Sequence, residues 1–336
     1  MEILFDAGKL AVVGLFEVFS HLTDIRAALR ILEQRLREQR PDLLILIDFP
    51  DFNLIMAKKA KKLGIPVFYY ITPQVWVWRS NRVGKIARLT DRIGVIFPFE
   101  KDFFEARGVG VDFVGHPLLD VVPDVPKGQE FRARHGIGDN TPVVCLLPGS
   151  RKKEIETVLP AFLAAARLLL SRRPDTIFLL PLASTLTESD LLTHGLAAED
   201  LPLRVIRDDR YGAMAASNGA MAVSGTVTLE LAILGVPMIV AYRVSPLTFL
   251  LGRMIVSLPY FSLVNLVAEE KVVPELFQGE VVPEKIVAAL EPFLDDGPLR
   301  RDTLQKFATV RRRLGGPGAA ERAATIALEA SGNSLE

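Results

Sequence analysis

What is scarce in this sequence narrows the field first. Cys145 is the single cysteine in 336 residues, so no disulfide forms within the chain. It sits in VVCLLPG, a buried-strand pattern, and such usage fits a reduced, cytosolic compartment. Net charge is missing: 40 basic and 40 acidic side chains cancel, and the pI is about 6.9. That balance argues against general nucleic-acid binding. No apolar run reaches the length of a membrane span. MEILFDAGKL carries acids at Glu2 and Asp6 and no basic leader, so no signal peptide is expected. A Walker loop, GxxxxGK followed by Ser or Thr, is absent, and so is a convincing GxGxxG. There is no internal repeat.

Apolar residues are plentiful, at 49%, and the length predicts two domains. The stretch that organises the chain is AVSGTVTLELAILGVPMIVAYR, Ala222 to Arg243. It reads as a buried strand, a Ser224-Gly225-Thr226 turn, a helix, then Gly235-Val236-Pro237 and a second buried strand. That is one βαβ unit. Ser224 or Thr226 is expected to cap the helix, and Gly225 lets a ligand approach the backbone. The free N–H groups of such a helix suit a diphosphate. Glu230 lies four residues beyond Thr226 on the same face. It reads equally as an acceptor for a ribose diol or as a solvated surface acid.

Upstream, LAVVGLFEVFSHL places Leu15, Phe16, Val18, Phe19 and Leu22 on a loose helical arc. Such an arc is usually a core face; the sharper reading is a surface that dips into a bilayer. Thr23 to Arg40 reads as a helix capped by Thr23 or Asp24. Leu43 to Ile47 is an all-apolar run, typical of a central parallel strand, and it ends in Asp48. Asp51 or Asn53 can cap the helix that follows. Asp48 has no such duty, and reads as a general base or as a hydrogen-bonded structural acid with equal weight. The lysines at 58, 59, 61 and 62 complement that helix's C-terminal dipole and read as a solvated end. Val67 to Ile71 is another strand. Trp76 and Trp78 follow, and Arg79, Arg82, Lys85 and Arg88 continue at i+3 steps as a basic stripe. Trp beside such a stripe suits an anionic membrane surface or substrate phosphates; the plainer reading is packed Trp and solvated cations. His116, after the strand Val111 to Gly115, reads best as a loop histidine with a backbone partner.

DVVPDVPKG, Asp120 to Gly128, is Pro-rich and predicts an interdomain linker. A second βα series then begins with VVCLLPGSRKKEIE. Gly149 permits close backbone approach, Ser150 offers a hydroxyl and Arg151 can clamp a diphosphate. Asp208-Asp209, between Arg207 and Arg210, reads as a self-neutralised loop rather than a metal site. Asn265 is a polar island whose amide needs partners, backbone or a base edge. Helices are predicted near 283–294, 298–313 and 319–331. The fold class is therefore α/β, with domains at 1–119 and 129–297, a 120–128 linker, and C-terminal helices at 298–331 that return to an amino-terminal domain.

In this order and spacing LAVVGLFEV, LIDFPDFN, PQVWVWR, FVGHP, LLPGSR, SGTVTLE and SLVNL resemble the bacterial lipid-A-disaccharide synthases, inverting glycosyltransferases of the two-domain GT-B type. The resemblance runs from about Leu10 to the final helices. It implies two Rossmann-like domains facing a cleft. It also implies a first domain truncated at its N-terminus, because the family's opening GExSGD loop and its βαβ unit are not in this sequence. The implied reaction joins UDP-2,3-diacylglucosamine to 2,3-diacylglucosamine 1-phosphate, giving the β-1,6 disaccharide precursor of lipid A and UDP. Asp48 would be the base. Ser150, Arg151, Gly225 and Thr226 would hold the diphosphate side of the UDP-sugar, Glu230 the ribose, and Asn265 the uracil. Leu15, Phe16, Phe19, Trp76, Arg79 and Arg82 would meet the acceptor and the lipid surface at the cytosolic face of the inner membrane, where a peripheral enzyme is expected. No metal or other cofactor is expected, and the resemblance leaves room for a homodimer. Two other readings stand beside it: an impaired remnant that binds only UDP and membrane, and another UDP-sugar enzyme such as an epimerase.

Overall fold

The computed structural model describes residues 2–5, 22–78, 80–123, 128–196, 201–244 and 259–332. The chain divides into two compact units, one of Met1–Gly115 with Gly318–Glu336, the other of His116–Pro317. This division departs from the expected domains in two ways. The first unit ends at Gly115, before residue 119. Helix Pro298–Arg313 also stays with the second unit, where it packs on helices Val227–Leu234 and Leu263–Ala268. Only helix Ala319–Ala330 joins the first unit. It lies on strands Val67–Tyr70 and Arg92–Val95, with Arg322 Nε donating to the Val114 carbonyl at 2.8 Å.

The first unit is built on a parallel sheet of β1 (Leu44–Ile47), β2 (Val67–Tyr70), β3 (Arg92–Val95) and β4 (Asp112–Phe113), in that spatial order. Helices Pro50–Lys62, Val83–Leu89 and Pro98–Glu105 stand in the crossovers that parallel neighbours require, and helix Leu22–Gln39 leads into β1. Leu54, Ala57, Ala60, Val67, Tyr69, Ile86 and Phe104 form its core. Contrary to the expectation of a central strand, β1 is an edge among the described residues, hydrogen-bonded to β2 alone. Its side chains alternate: Leu46 is buried, but Ile45 is 48% and Ile47 56% exposed. An all-apolar run reports side chains, not neighbours: it does not say how many strands pair with it, and among the described residues only β2 does.

Local details also shift. Helix Leu22–Gln39 includes Thr23 and Asp24 in its first turn, so neither is its N-cap. The lysine run is not merely solvated: Lys59 pairs with Glu33, and Lys61 with Asp91 at 2.7 Å. The basic stripe is not one helix. It breaks into Val75–Trp78, a 3-10 turn Ser80–Arg82 and helix Val83–Leu89.

The second unit carries a six-stranded parallel sheet in the order β10-β9-β8-β5-β6-β7, with β5 Val143–Leu147, β6 Ile177–Pro181, β7 Leu203–Ile206, β8 Gly219–Val223, β9 Met238–Tyr242 and β10 Glu275–Phe277. The chain winds outward from β5 through β6 and β7, then returns to β8 and winds the other way. The order therefore reverses between β5 and β8, and every residue of both strands is buried. In open α/β sheets the ligand crevice lies beyond the carboxyl ends of strands at such a reversal. The two turns that the sequence singled out, after Leu147 and after Val223, leave these two neighbours, which are in register at Leu147 and Ala222.

Candidate active site

The turn after β8 leads into helix Val227–Leu234, which ends at Gly235 in the left-handed region, φ 71°. A side-chain cap is absent. Thr226 stands at the N-cap position without a capping bond, and Ser224 Oγ instead donates to the Phe261 carbonyl at 2.8 Å. The expectation that Ser224 or Thr226 caps this helix is thus corrected: Ser224 ties the turn to a neighbouring loop. A Cβ built on Gly225 would meet nothing within 4 Å, so the space before the helix start is open. Open N–H groups at a helix start favour an anion.

The turn after β5 is organised differently. Gly149 adopts φ 121°, and a Cβ there would collide with the Glu154 carboxylate. That carboxylate accepts from the Ser150 and Arg151 N–H groups at 2.9 and 3.2 Å, satisfying donors just ahead of helix Lys152–Arg172. Thr185 Oγ1 donates to the Ser150 carbonyl at 2.6 Å. The loop is thus shaped by Glu154 of its own helix and by Thr185 from the segment after β6. The Arg151 side chain is exposed, with Nη1 3.2 Å from Glu154 Oε1.

Glu230 is not a solvated acid. It is 5% exposed and paired with Arg210, which heads helix Arg210–Ala215, and the Tyr211 hydroxyl lies 3.5 Å away. Burial pushes its carboxyl above the ordinary range, and the Arg210 charge opposes that rise. The Asp208-Asp209 loop is not self-neutralised either. Asp209 Oδ1 accepts from Gly212 N at 2.8 Å as the helix N-cap and its carboxylate pairs with Arg134, Arg207 reaches Glu188, and Arg210 is spent on Glu230.

Asn265 is fully buried and its amide is saturated by the protein. Nδ2 donates to the Val273 carbonyl and to Glu275 Oε1, both at 3.0 Å, while Oδ1 accepts from Val272 and Val273 N–H at 2.8 and 3.0 Å. An amide has two donors and one acceptor oxygen with two lone pairs. None remains for a base edge, so the sequence's alternative of backbone partners is the one this geometry fills. Glu275, unforeseen from sequence, completes the network by accepting from Phe261 N, Ser262 N and Ser262 Oγ at 3.2, 2.9 and 2.5 Å. The signal was available: it is a lone acid inside VVPELF. Tyr242, Phe261 and Phe277 cluster beside this network, with ring centroids 5.5 to 6.0 Å apart.

In the first unit, Asp48 follows β1 and its residue is exposed. Asp48 and Phe49 both take left-handed backbone, φ 47° and 44°, and Ile71 at the end of β2 does so too, φ 58°. Each non-glycine residue there costs about 1–2 kcal/mol. Neither Asp51 nor Asn53 caps helix Pro50–Lys62, whose N-cap Phe49 has no capping bond. Asp51 pairs with Arg82 at 2.8 Å, which draws one cation of the predicted stripe onto this motif. Asn53 turns back towards the strand end.

Trp76 is half-buried. Its Nε1 donates to Glu100 Oε1 at 3.2 Å and its ring meets Phe99 edge-on at 4.9 Å. Glu100, also unforeseen, is buried and accepts from Ile96 and Phe97 N–H at 3.2 and 3.1 Å. Burial pushes it up to about 7 against the pull of those donors. His116, in the second unit, is buried and accepts from Leu118 N at 3.1 Å through Nδ1; burial lowers it to about 4, so it is neutral at pH 7. Leu15, Phe16, Phe19 and Arg79 lie outside the described residues, as do the side chain of Trp78 and residues 124–127 of the expected linker. No group of three or more His, Cys, Asp or Glu among the described residues could hold a metal ion.

Two parallel sheets, the larger doubly wound with an open helix start, an arginine and a buried acid at its reversal, define an α/β protein of the GT-B fold class. Solved structures share this fold. A UDP-GlcNAc 2-epimerase from Neisseria meningitidis, bound to UDP-GlcNAc, matches with TM-score 0.62 at 15% identity over 91% of this chain and 81% of its own. The calicheamicin glycosyltransferase CalG4 matches with TM-score 0.58 at 16% identity over 95% and 83%. The sequence narrows the class. The profile of the lipid-A-disaccharide synthetase family matches residues 1–329, and the chain belongs to that family of glycosyltransferases. It is 47% identical to the lipid-A-disaccharide synthase of Geobacter metallireducens over 99% of this chain and 86% of that protein. The Coxiella burnetii enzyme of the same name is 38% identical over 97% and 86%.

Proposed function

We propose that this protein moves a 2,3-diacylglucosamine unit from UDP to the 6-hydroxyl of 2,3-diacylglucosamine 1-phosphate. The products are the β-1,6-linked disaccharide 1-phosphate and UDP. The observation that carries this reading is the placement of the LPGSR and SGTVTLE turns. They leave adjacent central strands at the sheet reversal and present an exposed arginine and an uncapped helix start.

In this reading Asp48 accepts the proton of the acceptor hydroxyl as its oxygen attacks the donor's anomeric carbon. The bond from that carbon to the UDP oxygen breaks, and the configuration inverts. Negative charge grows on the departing diphosphate, where Arg151 and the N–H groups after Gly225 and Thr226 stabilise it. Ser150 lends its hydroxyl to the same end. Glu230 accepts from the ribose diol, with Arg210 and Tyr211 holding the carboxylate in place. Asn265 acts through the loop it fixes rather than through its own amide, and the Tyr242, Phe261 and Phe277 faces border the base. Trp76 and Arg82 serve acceptor binding, the role that the sequence also suggests for Leu15, Phe16, Phe19 and Arg79. The enzyme works as a peripheral protein at the cytosolic face of the inner membrane, because both substrates carry acyl chains. No helix among the described residues is long and apolar enough to cross a membrane.

The test is to incubate the full chain with the UDP-linked diacyl sugar and its 1-phosphate partner and follow disaccharide and UDP. Both should form in equal amounts. Asp48→Asn should lower turnover about 10²- to 10⁴-fold while UDP affinity holds. UDP binding without disaccharide would favour a binding remnant, and an epimerised donor would favour an epimerase.

A further inference from the structure

The Asp48 turn is held by two side chains that no expectation from sequence put there. Asn53 Nδ2 donates to the carbonyl oxygens of Ile47 and Asp48, at 3.0 and 2.7 Å. From the neighbouring strand, the Tyr69 hydroxyl donates to the same Asp48 carbonyl at 2.8 Å. Tyr69 is fully buried and Asn53 is 9% exposed. On the other side of the residue, Asp48 N donates to the Tyr70 and Ile71 carbonyls at 3.3 and 3.2 Å. Both polar ends of the Asp48 backbone are therefore gripped while its φ stays at 47°.

A buried tyrosine hydroxyl needs some partner, and an asparagine near a helix start usually caps that helix. Neither habit explains this convergence. The two donors meet on one carbonyl, and it belongs to the first of two consecutive residues in a backbone region that side chains avoid. Without those donors the Asp48–Phe49 peptide would relax towards ordinary backbone angles. That relaxation would swing the Asp48 side chain, because the Cα–Cβ direction follows the backbone.

We infer that Asn53 and Tyr69 are positioning residues, clamping the Asp48 carbonyl so that the strained turn holds the carboxylate in its working direction. This rests on the reading of Asp48 as the base. Strain maintained by surrounding contacts is a recurrent feature of functional sites, and the clamp names the contacts that maintain it here.

The test is steady-state kinetics of the full chain carrying Tyr69→Phe or Asn53→Ser, each in the native and in the Asp48→Asn background. Tyr69→Phe removes a single oxygen and keeps the buried ring, so it carries the test should Asn53→Ser fail to fold. Each single variant is expected to lower kcat about 10- to 100-fold, the scale of a slightly misplaced reacting group. KM for the UDP-sugar should stay within about twofold. In the Asp48→Asn background the same changes should leave the residual rate where it is, because nothing remains to aim. Native kcat in Tyr69→Phe overturns the clamp. So does an equal fractional loss in both backgrounds, which would mark a merely structural role. Failure of the underlying reading shows separately: Asp48→Asn alone would retain turnover.

Discussion

The strand ends of β1 and β8 solve one problem in opposite ways. Both end in a turn, at the carboxyl end of a parallel strand, to which the proposed reading gives a role. β8 lies between β5 and β9, and all five of its residues are buried. Its turn needs no unusual backbone at Ser224 or Thr226, and the open helix start comes free from its place at the sheet reversal. β1 is paired on one side among the described residues, with Ile45 and Ile47 uncovered. Its turn runs through two left-handed residues held by Asn53 and Tyr69. A sheet centre gives rigidity by position, whereas an edge needs dedicated side-chain clamps.

Core truncation gives the largest way to break this comparison. Phe178, fully buried in β6 of the larger sheet, should lose about 3–5 kcal/mol on change to alanine, read by denaturant unfolding. A loss near 1 kcal/mol would mean that the larger sheet collapses around the gap instead of holding its packing. Next come the two buried acids. Glu100 in the first unit rises from 4.5 to about 7 because burial disfavours its charge. Its contribution is fully present below pH 4.5 and is lost as pH climbs through about 7. The melting temperature of the native protein, measured against Glu100→Gln, should therefore fall across that window by the equivalent of about 3 kcal/mol. A difference that stays flat with pH would mean the carboxyl is not desolvated.

Glu230 in the second unit has a counter-charge in Arg210, so its change should register in binding. Glu230→Gln should weaken UDP by about 1.5–3 kcal/mol in calorimetry, while a nucleotide lacking the ribose hydroxyls loses little. The smallest effect belongs to the exposed face of β1. Ile47→Thr should shift stability by no more than about 0.5 kcal/mol. By hydrogen exchange, β1 amides should open before those of β8.

Much of this layout was legible in the chain. The Gly235 helix stop, the βαβ unit around it and the three late helices follow from punctuation and periodicity, because local backbone preferences act over a few residues. The strand ends at Asp48, Gly149 and Ser224 were legible for the same reason. The duties of individual side chains were not. Glu230 reads equally as a ribose acceptor or a surface acid until Arg210 is found across the strand order. Asn265 reads as needing either backbone partners or a base edge until Val272, Val273 and Glu275 close around it. Tyr69 reads only as a strand residue. Each of these pairings joins groups from separate elements, or from opposite ends of a loop.

By itself, the sequence determined the α/β alternation, the positions of the turns and the family to which the chain belongs. The tertiary structure alone decided that β1 stands at an edge among the described residues and that the turns after β5 and β8 are neighbours. It also decided that the Asp48 carbonyl is clamped from β2. The physical reason is that sheet order and side-chain reach depend on which distant strands pair. That pairing is set by burial of the whole unit rather than by any local pattern.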